Sequence, residues 1–191
     1  MCIRDRHKYY LDEADHWFTI GHENAHSLGP RKGNEKLGKY RNIIEENKAD
    51  MGSLAFVDLL TELGMYTEEQ RKQIIVTTIT DNFLKSKPLL SQAHRVRTVM
   101  QNYYFAQRGA YDIIDEKIHV NIDKVVPIAK EMLAEIVRIQ IDGDFKKAEK
   151  YVLDNFVWTD KMELIAQKLQ KVNKSLNGRL ETELADKLVQ E

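Results

Sequence analysis

Apolar positions recur at three- and four-residue spacing along most of this 191-residue chain, and only nine glycines and three prolines interrupt them. One face of an α-helix returns every 3.6 residues, so this periodicity predicts a mainly α-helical domain. A first helix is expected over 9–27, ended by Leu28-Gly29-Pro30, and the following PRKGNEKLGK, residues 30–39, reads as an exposed loop rich in glycine and lysine. A second helix is expected over 40–63 with its stop at Gly64. Thr67-Glu68-Glu69-Gln70 has the form of a capping box, which opens a third helix running to Lys85, although its apolar run IIVTTI also suits a strand. Pro88 breaks the pattern, and Ser91 is placed to cap a fourth helix that runs to Gln107. AYDII and KIHVNI, around the turn-like Asp115-Glu116, carry the one strand pair. Helical spacing returns from Asp123, with Pro127 tolerable in the first turns. Gly143 and Trp158-Thr159-Asp160 then separate three amphipathic pieces, and the chain closes on the highly charged ETELADKLVQE, residues 181–191. The expected architecture is a mainly α, multi-helix lobe with at most one small β-hairpin. There is no internal repeat, so one domain is the simplest organisation.

Composition narrows the classes of function. Hydrophobic residues make up 42% and charged residues 31%, the balance of a soluble globular protein. The formal net charge of -1, with acids and bases mixed along the chain, provides no basic field for nucleic acid or an anionic membrane. No apolar run approaches the roughly 20 residues of a membrane span. The start, MCIRDRHKYY, lacks the apolar centre of a signal peptide, so the expected location is cytoplasmic. MCIRDR resembles a translated sequencing-adapter tail. Residues 1–6 are therefore set aside as an artefact, and 7–191 are read as the C-terminal part of a longer protein. The single cysteine, Cys2, can complete neither an internal disulfide nor a cysteine-rich zinc cluster, so a metal in this chain must be held by histidine and carboxylate.

HENAH, residues 22–26, lies on the first predicted helix and supplies such ligands. Residues i and i+4 share a helix face, so the imidazoles of His22 and His26 can reach one cation at about 2.0–2.1 Å from each nitrogen. Glu23 points slightly round the helix, where a carboxylate acts on water without being a ligand, the general-base position of H-E-x-x-H metallopeptidases. A third ligand is available in IIEENKADMGSL, residues 43–54, on the second predicted helix. Glu45, Glu46 and Asp50 sit there among apolar neighbours. Burying carboxylates costs several kcal/mol each unless they are paired or bound to metal. Glu46 follows His26 by 20 residues, enough for a helix end, a loop and a returning helix. Two histidines and one glutamate leave a fourth position open, as a catalytic zinc requires. Glu45 and Asp50 are near enough to accept the second ring N–H of each histidine. The plainer alternative is a solvated acidic face on an amphipathic helix.

The pairing of HENAH with EENKAD is similar to the zinc-binding pair of the dipeptidyl peptidase III family, whose second motif has the form E-E-x-x-[AG]-[DE]. Gln92-Ala93-His94 resembles the segment that carries that family's transition-state-stabilising histidine. The likeness runs from about Asp15 to the end of the chain, with specific motifs at 22–26, 45–50 and 92–94. Most members carry the longer H-E-x-x-G-H. The five-residue form found here resembles the branch in which the peptidase-like domain is fused to a Nudix hydrolase domain. The resemblance implies that His22, His26 and Glu46 hold Zn²⁺, that Glu23 activates water, and that Glu45 and Asp50 stand behind the histidines. It implies that His94 donates to the oxyanion formed on the peptide carbonyl. It also implies a peptide substrate bound between this helical lobe and a second lobe that precedes it in sequence and is missing here. Two other readings of the same residues are a non-catalytic helical module that retains a zinc site and another peptidase with thermolysin-like ligand spacing.

Overall fold

The structure is a computed structural model that describes residues 9, 11–30, 32–115 and 117–176. The first six residues, His7 and the terminal ETELADKLVQE lie outside the described residues. The architecture is mainly α with one two-stranded antiparallel sheet, the class expected from the periodicity. Helix α1 spans Asp12–His26, α2 Arg41–Ala55, α3 Val57–Glu62, α4 Glu68–Asp81 and α5 Ala93–Gln107. The hairpin β1 (Tyr111–Ile114) and β2 (Lys117–Val120) pairs Tyr111 with Val120 and Ile114 with Lys117. Helices α6 (Ile122–Asp142), α7 (Phe145–Asn155) and α8 (Asp160–Leu176) follow. No helix among the described residues is long and apolar enough to cross a membrane.

Helix α2 is the axis of the fold, packed against α1, α5 and α6. From Asn47 to Ala55 every one of its residues is buried, including Lys48 and Asp50. No side chain caps its N-terminus, so packing rather than local hydrogen bonding holds it helical. Its crossing with α1 is unusually close. A Cβ on Gly21 would lie 2.3 Å from the Ser53 hydroxyl oxygen, and one on Gly52 would lie 2.6 Å from the Ala25 Cβ. The Ser53 hydroxyl donates to the Phe18 carbonyl at 2.8 Å, which ties the two backbones at the same crossing. Glycine inside a helix costs roughly 1 kcal/mol relative to alanine. Here it removes the side chain that would hold the helices apart.

Several expected boundaries move, each for a packing reason. The lysine-rich stretch after Pro30 is not a plain exposed loop. Asn34–Tyr40 form a 3-10 helix that buries Leu37 and Tyr40 completely. Tyr40 stacks obliquely on Phe145 at 5.5 Å and donates to Glu149 at 2.9 Å, so two apolar anchors outweigh the polar residues around them. The single helix expected to end at Gly64 is divided at Phe56 into α2 and α3, and Gly64 does end it with φ of 73°. Helix α4 begins on the expected capping box, with Thr67 and Gln70 bonding reciprocally, and its IIVTTI run is helical and buried. It stops at Asp81 instead of Lys85, because Asn82 turns inward to donate to Gln101 and Phe83 packs edge-on against Tyr111. Ser91 does not cap α5. Gln92 occupies that position, and its side-chain oxygen accepts from the Leu89 N–H at 2.9 Å, so the segment before the helix is closed by a side-chain turn. Pro127 falls in the second turn of α6, and Gly143 ends that helix in the left-handed region, φ 58°.

Gly52→Ala forces a methyl into the Ala25 contact. We expect it to destabilise the chain by about 1–3 kcal/mol, the usual range for overpacking a tight core, read as a lower midpoint in denaturant unfolding. An unchanged midpoint would mean that the two helices can separate at no cost.

Candidate metal centre

The tight crossing brings the end of α1 against the middle of α2. There His22, His26 and Glu46 each offer one donor atom, all lying within 4.8 Å of one another. The Nε2 atoms of the two histidines are 3.0 Å apart, and Glu46 Oε2 is 3.6 Å from His22 Nε2. The opposite ring nitrogens are engaged. His22 Nδ1 donates to Asp50 Oδ1 at 2.7 Å, and His26 Nδ1 donates to Glu45 Oε1 at 3.1 Å. An ionised carboxylate only accepts hydrogen bonds, which assigns the proton of each neutral ring to Nδ1 and leaves a lone pair on each Nε2. With both protons on Nδ1, two lone pairs face each other across 3.0 Å, an arrangement relieved by a cation between them or by a proton on one Nε2. Glu46 Oε2 is buried without a hydrogen-bond partner, with His94 Nδ1 3.0 Å and Arg97 Nε 3.9 Å away. Two imidazole lone pairs and an unsatisfied carboxylate oxygen converging on one point fit a divalent cation of the zinc type.

The carboxylates behind the histidines are themselves held. Glu45 receives Lys48 Nζ on Oε1 at 2.8 Å and Gln140 Nε2 on Oε2 at 2.8 Å. Burial pushes the Glu45 carboxyl upward, but Lys48 and His26 outweigh it and hold the group below the usual carboxylate range. Lys48 is only 4% exposed and also donates to the His26 carbonyl at 3.3 Å and the Leu28 carbonyl at 2.6 Å, so it serves the open end of α1 and the turn after it as well as Glu45. Asp50 accepts from Gln101 Nε2 on Oδ2 at 2.8 Å and pairs through the same oxygen with Arg97. The hydrogen bond to Asp50 raises the proton affinity of His22 above its ordinary value, against the opposing effect of burial. His22, joined to a fully buried aspartate, is thus the more strongly oriented of the two histidines.

The remaining expected site residues are near but freer. Glu23 is exposed on α1 beside His22. His94, in the first turn of α5, is 72% exposed and lies against Glu46. With Asn42, Glu46, Ser91, Gln92 and Arg95 it lines an open cavity of about 430 Å³. His16 is exposed and His119 lies in β2, away from this cluster. Of the aromatic residues outside the cluster, Tyr104 and Phe105 are buried, whereas Trp158 is partly exposed and donates to Glu163. Arg97, Gln101, Lys48 and Gln140 are participants that sequence reasoning did not single out. The spacing of His94, Arg97 and Gln101, at i, i+3 and i+7, does put them on one face of α5. Lys48 stands three residues after Glu45, on the same face of α2. Gln140 carries no local signal at all.

No protein-family profile matches the chain. Among curated proteins it is similar to Nudix hydrolase 3 of Arabidopsis thaliana, with 25% identity over 159 residues that make up 76% of this chain and 20% of that protein. Among solved structures it superposes on dipeptidyl-peptidase III from Corallococcus sp. strain EGB with a TM-score of 0.81 and 23% identity, covering 88% of this chain and 33% of that one. Dipeptidyl peptidase III from Caldithrix abyssi gives a TM-score of 0.72 at 23% identity, covering 86% and 35%. The chain spans a fifth to about a third of the length of these proteins. In fold, it corresponds to a helical portion of the dipeptidyl peptidase III structures.

Proposed function

We propose that residues 7–191 form the metal-bearing lobe of a cytoplasmic zinc peptidase of the dipeptidyl peptidase III type, acting on oligopeptides together with a second lobe. The observation that carries this reading is the face-to-face pair of imidazole Nε2 atoms beside an unsatisfied Glu46 oxygen, each ring fixed from behind by a carboxylate. The likeness in fold to dipeptidyl peptidase III structures, of which the chain covers about a third, supports the peptidase reading. On this reading His22, His26 and Glu46 hold Zn²⁺, and Asp50 and Glu45 fix the ring tautomers. Zinc bound there supplies Lewis acidity and makes water a better nucleophile near neutral pH. Glu23, exposed beside His22, takes a proton from the attacking water and passes it to the leaving amine. His94 donates to the negative charge that develops on the carbonyl oxygen, and the cavity it lines receives the peptide beside it. Release of N-terminal dipeptides belongs to the same proposal.

The purified chain is expected to retain about one zinc per molecule after dialysis, and His22→Ala to lose it. Elemental analysis without metal in the wild type would remove the centre. In chelator the melting temperature should fall, because the three carboxylates lose a counter-charge.

In the full-length protein, Glu23→Gln keeps the shape of the side chain but accepts no proton. It should hold zinc normally while losing most peptide hydrolysis. Near-normal turnover in that variant would take Glu23 out of the mechanism and favour a zinc-bearing module without catalysis.

His94→Ala should leave zinc stoichiometry intact and lower kcat on the order of a hundredfold, with a smaller change in KM. Loss of zinc would make His94 a ligand, and unchanged turnover would return it to an ordinary surface histidine.

A further inference from the structure

Each histidine of the pair leans on a carboxylate, and each of those carboxylates is gripped in turn by one cation and one glutamine. Glu45 is held by Lys48 and Gln140, and Asp50 by Arg97 and Gln101. The two grips differ in reach. Lys48 comes from the same helix as its partner, three residues on, and it also closes the end of α1. Arg97 and Gln101 come from α5, 47 and 51 residues beyond Asp50. Gln101 is fully buried and spans between Asp50 and Asn47, while its own side-chain oxygen accepts from Asn82. It is therefore fixed at both ends.

Arg97 is placed differently again. Its terminal nitrogen pairs with Asp50 Oδ2, and its Nε, buried and without a hydrogen-bond partner, faces Glu46 Oε2 at 3.9 Å. One guanidinium thus touches the carboxylate that orients His22 and lies beside the carboxylate aimed at the donor cluster. The planar fork of arginine suits such a bridge, because it presents several N–H groups in fixed directions to two acceptors. An aspartate that is only 1% exposed and backed solely by glutamine could rotate about its terminal torsion and release His22 Nδ1. Held at Oδ2 by Arg97, it must keep Oδ1 on the ring.

We propose that Arg97 is a positioning residue for the metal centre, acting through Asp50 to fix the His22 ring and secondarily setting the direction of Glu46. The proposal rests on the metal-binding reading above. It adds that α5, which contributes no ligand to that reading, controls how well the ligands on α1 and α2 converge.

The test is a double-mutant cycle on zinc affinity, measured with the purified chain by competition with a chromophoric chelator. Arg97→Met preserves the length of the side chain and removes the fork. It is expected to weaken zinc binding about 10–100-fold, the usual effect of removing a group that supports a metal-bound histidine. Asp50→Asn should weaken it by a similar factor, and the double variant should be only slightly weaker than Asp50→Asn alone, because Arg97 acts mainly through Asp50 and only the smaller part through Glu46 remains to be lost. Arg97→Lys should recover part of the loss. The visible spectrum of the cobalt-substituted protein provides a readout that fold stability does not move. Arg97→Met is expected to change its band positions while the circular dichroism of the metal-free protein stays the same. Unchanged or tighter zinc binding in Arg97→Met, or fully additive losses in the double variant, would overturn the proposal. If Arg97→Met does not fold, the same cycle run with Arg97→Gln decides the question. A wild-type chain that binds no zinc would instead sink the metal-binding reading itself, an outcome distinct from a wild type that binds and a variant that binds equally well.

Discussion

Backbone contact between α1 and α2, permitted by the absence of a side chain at Gly21 and Gly52, lets carboxylates on one helix reach imidazoles on the other. Ordinary helix pairs stand about 8–10 Å apart between axes, with the exact spacing set by the side chains at the crossing. Here the spacers are Gly21, Ala25, Gly52 and Ser53, and the chemistry-bearing residues flank them. His22 follows Gly21, His26 follows Ala25, and Asp50 precedes Gly52 by two. These short residues, of which the two glycines cost helix propensity, therefore determine whether Asp50 can meet His22 at 2.7 Å and Glu45 can meet His26 at 3.1 Å.

Charge is the second constraint. Glu45, Glu46 and Asp50 bring three carboxylates into the packed middle of the fold, and an unpaired buried carboxylate is not tolerated at neutral pH. The chain answers with Lys48 and Arg97, one on each flank, and leaves Glu46 Oε2 as the acceptor with no hydrogen bond. Glu46 is not isolated, since His94 Nδ1 lies 3.0 Å and Arg97 Nε 3.9 Å from that oxygen, but neither contact is a hydrogen bond.

The helical class, the capping box at Thr67, the hairpin and the stop at Gly64 were legible because each depends on residues within a few positions of one another. So was the meeting of HENAH with EENKAD, since residues four apart share a helix face and twenty residues suffice for a return. What the sequence did not reveal depends on distant packing. Leu37 and Tyr40 draw a lysine-rich stretch into the core through Phe145 and Glu149, more than a hundred residues away. Asn82 ends α4 early because its partner is Gln101, and Gln92 rather than Ser91 closes the turn before α5. Nothing in the local sequence around Arg97 or Gln140 marks them out. Their contacts to Asp50 and Glu45 appear only when α5 and α6 are laid against α2.

All three converging donor atoms come from residues 22 to 46, a single helical hairpin, whereas the residues that brace them from behind extend to position 140. Closing a short loop costs little chain entropy, and contacts of low sequence separation form early in folding. The α1–α2 crossing alone brings the two imidazoles and Glu46 face to face, whereas the bracing from Arg97, Gln101 and Gln140 comes through contacts that span 47, 51 and 95 residues of chain.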